Sequence, residues 1–393
     1  MTSEEDALGA VLAAVAALGE EKVPLLESLG RFAAEDLLAT RPLPAFDNSA
    51  MDGYAVQAAS CRAGAQLRVI GEQAAGANLG LTIGPGEAVR IFTGAPVPAG
   101  ADGVIMQEDV TREEDLIIAQ CDAEPGEFIR VRGADLAEGQ KILGRGEAVT
   151  PALLALIASQ GLAEIKVGTR PRVAIVATGD ELAPPGATLR PGQIYESNAI
   201  MLEALAARAG AIVQLVEHSP DDLEQMKEIF RRALELDALI VSGGVSVGEH
   251  DLVKPALRAL GAEIDLWRVA IKPGKPFLFG HAGACSVFGL PGNPVSAFVT
   301  FLRFVRPALQ KMSGGSGENL FLPEVPARLA GDISNEGERP HYLRGRLEAG
   351  VFSAIGRQES HALFGLSRAN ALLRLAGRTR LPAGASVTVL LLP

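Results

Sequence analysis

The chain has 393 residues, 48% of them hydrophobic and 21% charged, with a formal net charge of −11; that length implies about two to four domains. The acidic balance argues against a nucleic-acid-binding surface and for a soluble cytoplasmic protein, and three scattered cysteines (Cys61, Cys121, Cys285) provide no disulfide framework. An acidic start, no apolar run near the ~20 residues that span a bilayer and no H-E-x-x-H among five histidines leave a signal peptide, a membrane span and a zinc hydrolase without support.

Residues 3–18 read as a helix, with Ser3 as its cap, a stripe of Leu8, Val11, Leu12 and Val15, and Gly19 at its end. A second helix is expected over 25–40, followed by the extended Arg41-Pro-Leu-Pro44. From 46 to 142 short β-prone runs alternate with Gly and Pro, which predicts an inserted β domain. It contains Asp47, Asp52, the hydroxyl of Thr93 beside Gly94, and a charge cluster (Arg130, Arg132, Asp135, Lys141) that reads as a solvated face more readily than as an anion site. Helical periodicity returns over 151–160, with Thr150 as cap and Pro151 at the first position. Residues 1–45 and 143–169 are therefore expected to form one helical layer that the β domain interrupts.

Residues 170–315 carry the clearest pattern. Apolar runs near 173–178, 212–216, 238–241, 266–271, 277–279 and 286–290 alternate with helical segments at 198–207, 221–236, 252–260 and 295–309. That spacing predicts a three-layer α/β domain with a mostly parallel sheet. After the linker Gly314-Gly-Ser-Gly317, residues 316–393 read as a small C-terminal β domain, barrel-like, with strands near 324–329, 343–347, 371–375 and 386–392.

Strand C-termini of one sheet lie along one edge, so the loops that follow them converge. The run Ser242-Gly-Gly-Val-Ser-Val-Gly-Glu-His-Asp251 is a glycine turn between strand and helix. Gly243, Gly244 and Gly248 let backbone approach an anion, while Glu249 and Asp251 are hard oxygen ligands suited to Mg²⁺. Gly243 and Gly248 have Walker A spacing, but Glu249-His250 stands where Lys-Ser/Thr would be. Asp180 and Glu181 end the first strand, and Leu290-Pro-Gly-Asn-Pro294 is a stiff turn into a helix. Lys272 and Lys275 add positive charge near that edge; a charge pair at ~4 Å with effective ε near 20 is worth about 4 kcal/mol before desolvation.

Taken together the motifs resemble the molybdopterin molybdotransferases, the molybdenum insertases that include the C-terminal domain of gephyrin. The resemblance spans nearly the whole chain. It rests on Asp47-Asn-Ser-Ala-Met-Asp-Gly-Tyr-Ala55, Thr93-Gly-Ala-Pro-Val-Pro98, Thr178-Gly-Asp-Glu181, the glycine turn, Ile271-Lys-Pro-Gly-Lys-Pro276 and Gly289-Leu-Pro-Gly-Asn-Pro294. It implies an elongated four-domain subunit, a homodimer, and insertion of molybdate into adenylylated molybdopterin with release of AMP. Docking to the molybdopterin adenylyltransferase is a further partner it allows.

The resemblance places catalytic roles on Asp52, Glu181, Asp221, Asp251 and Lys272, with Asp222 an alternative to Asp221. Substrate-binding roles fall on Thr93, Ser242, Gly243, Gly244, Ser246, Gly248, Arg268, Lys275, Pro291, Gly292, Asn293, Arg344 and Ser360. A Mg²⁺ ion would be held by Glu181, Glu249 and Asp251, and Asp251 or Asp52 would orient the attacking group. Arg268 stands where many members have lysine, which keeps the charge but not the compact ammonium. Alternative readings are the adenylyltransferase that makes adenylylated molybdopterin, a non-catalytic molybdopterin-binding scaffold, and a nucleotide-hydrolysing enzyme.

Overall fold

The structure is a computed structural model and describes residues 1–245 and 251–393. The chain divides into two compact units, one of residues 1–35, 144–155 and 162–393, the other of residues 36–143 and 156–161.

The first unit is centred on a six-stranded sheet. Its elements in chain order are β1 (Arg172–Thr178), α1 (Asn198–Arg208), β2 (Ile212–Ser219), α2 (Leu223–Ala233), β3 (Ala238–Ser242), α3 (Val253–Ala259), β4 (Glu263–Trp267), β5 (Leu278–Ala282), β6 (Cys285–Leu290) and α4 (Pro294–Thr300). The sheet order is β2-β1-β3-β6-β5-β4. β2, β1, β3 and β6 are parallel, whereas β5 and β4 run antiparallel. β3 and β6 are buried along their whole length, and β1 everywhere but its first residue. β2, at the edge, alternates exposed and half-buried positions up to the buried Ser219, as expected of strands covered on both faces and of one half-covered. The parallel strands therefore follow the order 2-1-3-6, and the direction of winding reverses between β1 and β3. In open α/β sheets that reversal opens a crevice at the strand C-termini.

Five strands, Glu324–Leu329, His341–Glu348, Val351–Ala354, Ala371–Leu375 and Ser386–Leu391, close into a barrel around Phe352, Leu373 and Val389. Closure removes the unpaired edges that a small sheet would otherwise expose. Glu4, on the N-terminal helix Glu4–Ala14, is only 2% exposed. It accepts from Arg303 Nε (2.7 Å), from Arg374 Nε (2.8 Å) and from the Tyr342 hydroxyl. Burial alone would raise its carboxyl, but Arg303, with Tyr342 and Arg374, holds it below the usual carboxylate range.

The second unit carries a mixed six-stranded sheet with buried Tyr54, Val56, Leu67, Ala88, Ile105 and Ile117 on one face. Three local expectations fail. Residues 25–40 do not form a helix: a 3-10 turn spans Leu25–Ser28, Gly30 takes φ +73°, and main-chain N–H groups of Ala33 and Ala34 bond to Glu147 and Lys166. Strand Glu20–Pro24 pairs antiparallel with Glu164–Gly168, so the two parts of the expected helical layer meet largely as strands. Tertiary pairing overrides helix propensity there. The Gly314–Gly317 segment is no free linker, since Gly315 N bonds Gln310 O and Ser316 N bonds Gly146 O.

Candidate functional site

A cleft of about 770 Å³ opens at the C-terminal ends of β1, β3 and β6. Its floor is made by close backbone packing. Gly243 and Gly244 take φ +95° and +62°. A Cβ on Gly243 would stand 2.8 Å from the Thr178 carbonyl oxygen, and one on Gly244 2.6 Å from Val253 Cγ2. Only glycine fits both the dihedral and the space. Gly243 N donates to Leu290 O at 3.0 Å, and Asn198 Nδ2, at the start of α1, donates to Ser242 Oγ (2.9 Å) and Gly292 O (2.7 Å). One amide thus joins the loops after β3 and β6. Pro291, Gly292 and Asn293 line the opposite wall, as the stiff turn predicts.

Four carboxylates line the cleft: Glu181, Glu196, Asp221 and Asp251. Asp221 is set by its own N–H, which donates to Asp180 Oδ1 at 3.0 Å. Asp222 instead caps α2, accepting from Gln225 N at 2.8 Å, so of the two neighbouring acids Asp221 is the one in the cleft. Asp251 is the exceptional group. Among the described residues neither of its oxygens, both buried, has a hydrogen-bond partner. Desolvation raises its pKa while Lys254 partly opposes the shift. A bare carboxylate facing a cleft is suited to a cation or to donors brought by a ligand. Glu181 and Asp251 are hard oxygen donors appropriate to Mg²⁺, although the described residues contain no group of three or more such ligands. Glu249, with Ser246 and Gly248, lies outside the described residues.

The remaining expected residues lie elsewhere. Lys272 and Lys275 are exposed on the segment between β4 and β5 and do not line the cleft, although Pro276 does. The Lys272–Pro273 peptide is cis, and the segment is fastened to the barrel, Lys272 N to Pro340 O (2.8 Å) and Tyr342 N to Lys272 O (2.7 Å). Arg268 packs on Trp267. Arg344 is fully buried, its guanidinium donating to the carbonyls of Arg357 and Glu359 (3.2 Å for the latter). It therefore braces the 357–361 loop and is not exposed to the cleft. Ser360 O accepts from Val295 N (3.1 Å), and its neighbour His361 lines the cleft. In the other unit Asp52 Oδ1 accepts from Thr93 N (2.8 Å) and Thr93 Oγ1 (2.7 Å). Those bonds, helped by Arg90, hold its carboxyl below the usual range.

Sequence reasoning missed Asn198, Glu196, Tyr195, Thr178 and His361 as cleft residues. A Ser-Asn pair opening a helix was the one available signal, and it read only as a helix start.

Family models match in series: the MoeA N-terminal region (domains I and II) over residues 2–161, the probable molybdopterin binding domain over 174–311, and the MoeA C-terminal region (domain IV) over 326–392. The chain is 40% identical to molybdopterin molybdenumtransferase 2 of Mycobacterium tuberculosis, over 89% of each chain. It is 37% identical to the molybdopterin molybdenumtransferase of Nostoc, over 95% of this chain and 89% of that one. Among solved structures, a molybdopterin biosynthesis MoeA protein of Pyrococcus horikoshii superposes with a TM-score of 0.87 at 31% identity, covering 100% of both chains.

Proposed function

Since the chain belongs to the molybdopterin molybdenumtransferases, transferases that insert molybdenum in molybdenum cofactor biosynthesis, we propose that its cleft takes adenylylated molybdopterin and exchanges the adenylate for molybdenum, releasing AMP. The observation that carries this reading is the pair of buried Asp251 oxygens, without a hydrogen-bond partner among the described residues, at the strand-end crevice between β1 and β3. The volume of the cleft is in the range of nucleotide-sized ligands.

In this reading the P–O bond between the adenylate phosphorus and the pterin phosphate breaks. A water oxygen bonds to that phosphorus and gives AMP, the charge left on the pterin phosphate needs neutralising, and as the two pterin sulfurs bond to molybdenum one molybdate oxygen leaves with the two thiol protons as water. Asp251 orients the attacking oxygen, with Asp52 of the second copy in the homodimer the alternative for that role, and Gly243 and Gly244 admit a phosphate close to the main chain. Bound between Glu181 and Asp251, Mg²⁺ would supply charge neutralisation. Lys272, Lys275 and Arg268 are the cations proposed for the molybdate dianion, with Arg344 and Ser360 shaping the loop beside them. Thr93 keeps Asp52 ionised. The sulfurs that receive molybdenum belong to the pterin, which fits the position of Cys285. It begins β6, at the end away from the cleft.

We take the working form to be a cytoplasmic homodimer that receives its substrate from the adenylyltransferase. Among the described residues no helix is long and apolar enough to cross a membrane. The test is AMP release from adenylylated molybdopterin with Mg²⁺, with and without molybdate. Molybdate-stimulated release is expected. In Asp251→Ala release should nearly vanish while molybdopterin affinity stays within about threefold, since the change removes a transition-state contact only. Unchanged turnover in the variant refutes the role.

A further inference from the structure

Trp267, the only tryptophan of the chain, ends β4 and is 39% exposed. Its place is fixed by polar partners as much as by burial. The indole N–H donates to Val245 O at 3.3 Å. The Lys254 ammonium sits 3.2 Å from the ring centroid and the Arg268 guanidinium 4.2 Å from it, both within cation–π range. Arg268 reaches its position from φ +72°, a left-handed conformation that non-glycine residues adopt only where their surroundings impose it.

Two of these partners stand on either side of Asp251 in the chain. Val245 directly follows Gly244 and lines the cleft. Its side chain is also pinned from the sheet, where Gly289 leaves it room: a Cβ there would stand 2.6 Å from Val245 Cγ1. Lys254 lies in the first turn of α3, three residues beyond Asp251. Trp267 itself does not line the cleft.

We propose that Trp267 is a positioning residue for molybdenum transfer, one indole holding Val245 through its N–H and the first turn of α3, just beyond Asp251, through Lys254. The proposal rests on the reading of the cleft given above. Trp267 touches no reacting atom. It fixes where the Asp251 carboxylate stands, while the loops at 194–198 and 291–293 still supply the other walls. The loss on removing it therefore falls on kcat more than on KM.

The test compares Trp267→Phe, which keeps the ring and loses the N–H, with Trp267→Leu, which loses both, and with Lys254→Met. AMP release with molybdate is expected to fall about tenfold in kcat for Trp267→Phe and about a hundredfold for Trp267→Leu, with KM for adenylylated molybdopterin within about threefold. Partial rescue by Phe, in protein shown folded at the assay temperature, separates positioning from a merely structural role. Wild-type kcat in folded Trp267→Leu overturns the proposal. The emission of the single tryptophan reads the contact independently. It is expected to change in Lys254→Met, and emission identical to wild type overturns the clamp. If the wild-type protein releases no AMP, the insertase reading fails, and the emission comparison alone decides the clamp.

Discussion

His341 opens the barrel strand His341–Glu348 and faces Lys272 across a backbone bridge. It is 6% exposed, and its Nε2 is buried without a partner. Burial, then the cations Lys272, Arg344 and Arg339, lower its pKa to about 4, against the opposing effect of a main-chain hydrogen bond with Gln358. In the unfolded chain the imidazole titrates near its ordinary value, about 6.5. Between those values the unfolded state binds more protons than the folded one, so stability falls as pH falls. The difference amounts to about 2 kcal/mol between pH 7 and pH 5 and approaches about 3 kcal/mol below pH 4. His341→Gln removes the titration. Urea unfolding at pH 7 and pH 5 should then show the wild type losing about 2 kcal/mol more over that interval than the variant. Parallel losses in the two proteins would mean that His341 is protonated as readily when folded as when unfolded, and would refute the argument.

Three further outcomes follow from packing and charge. Glu4→Gln leaves Arg303 and Arg374 facing a neutral amide at a buried site, and should cost roughly 3 kcal/mol in urea unfolding. Gly243→Ala places a Cβ 2.8 Å from Thr178 O at φ +95°, whereas Gly292→Ala meets only Gly243 Cα at 3.7 Å. The first should lower stability by about 2 kcal/mol and abolish turnover, and the second should leave melting unchanged within about 0.5 kcal/mol. Thr93→Val removes one of the two donors to Asp52 Oδ1. Its carboxyl pKa should rise toward the ordinary aspartate value, read by carboxyl-carbon NMR titration, so that more of it is protonated in mildly acidic solution.

The parallel sheet was legible because its strands are continuous apolar runs: β3 ends at Ser242 and β6 at Leu290, each within a residue of the expectation, and α1 begins at Asn198 as expected. Ser3 does accept from Asp6 N, since capping is decided within four residues. The failures are those of long-range pairing. Nothing near Ala33 announces Glu147 as its partner, and β4 is displaced to 263–267 because the expected run 266–271 continues into a turn bound to Thr2 and the barrel. Of the site, the glycines, the acids and the 290–293 turn were readable from residue type at strand ends. Asn198 was not, because its role depends on Ser242 and Gly292, distant in sequence. The inward fate of Arg344 was hidden for the opposite reason: a guanidinium reads as a surface group until a loop wraps its carbonyls around it.

The buried Glu4 also sets an order of assembly. Its partners Arg303 and Arg374 follow it by 299 and 370 residues. At about 5–20 residues per second of synthesis, the second arginine emerges roughly 20 to 70 seconds after the glutamate. Until then the N-terminal helix has a charge that wants burial and at most one of its two arginine counter-ions, so it should stay incompletely docked on the ribosome. Chains halted between Val305 and Arg374 would dock that helix incompletely, leaving Ala7 and Val11 accessible as a landing place for a holding chaperone.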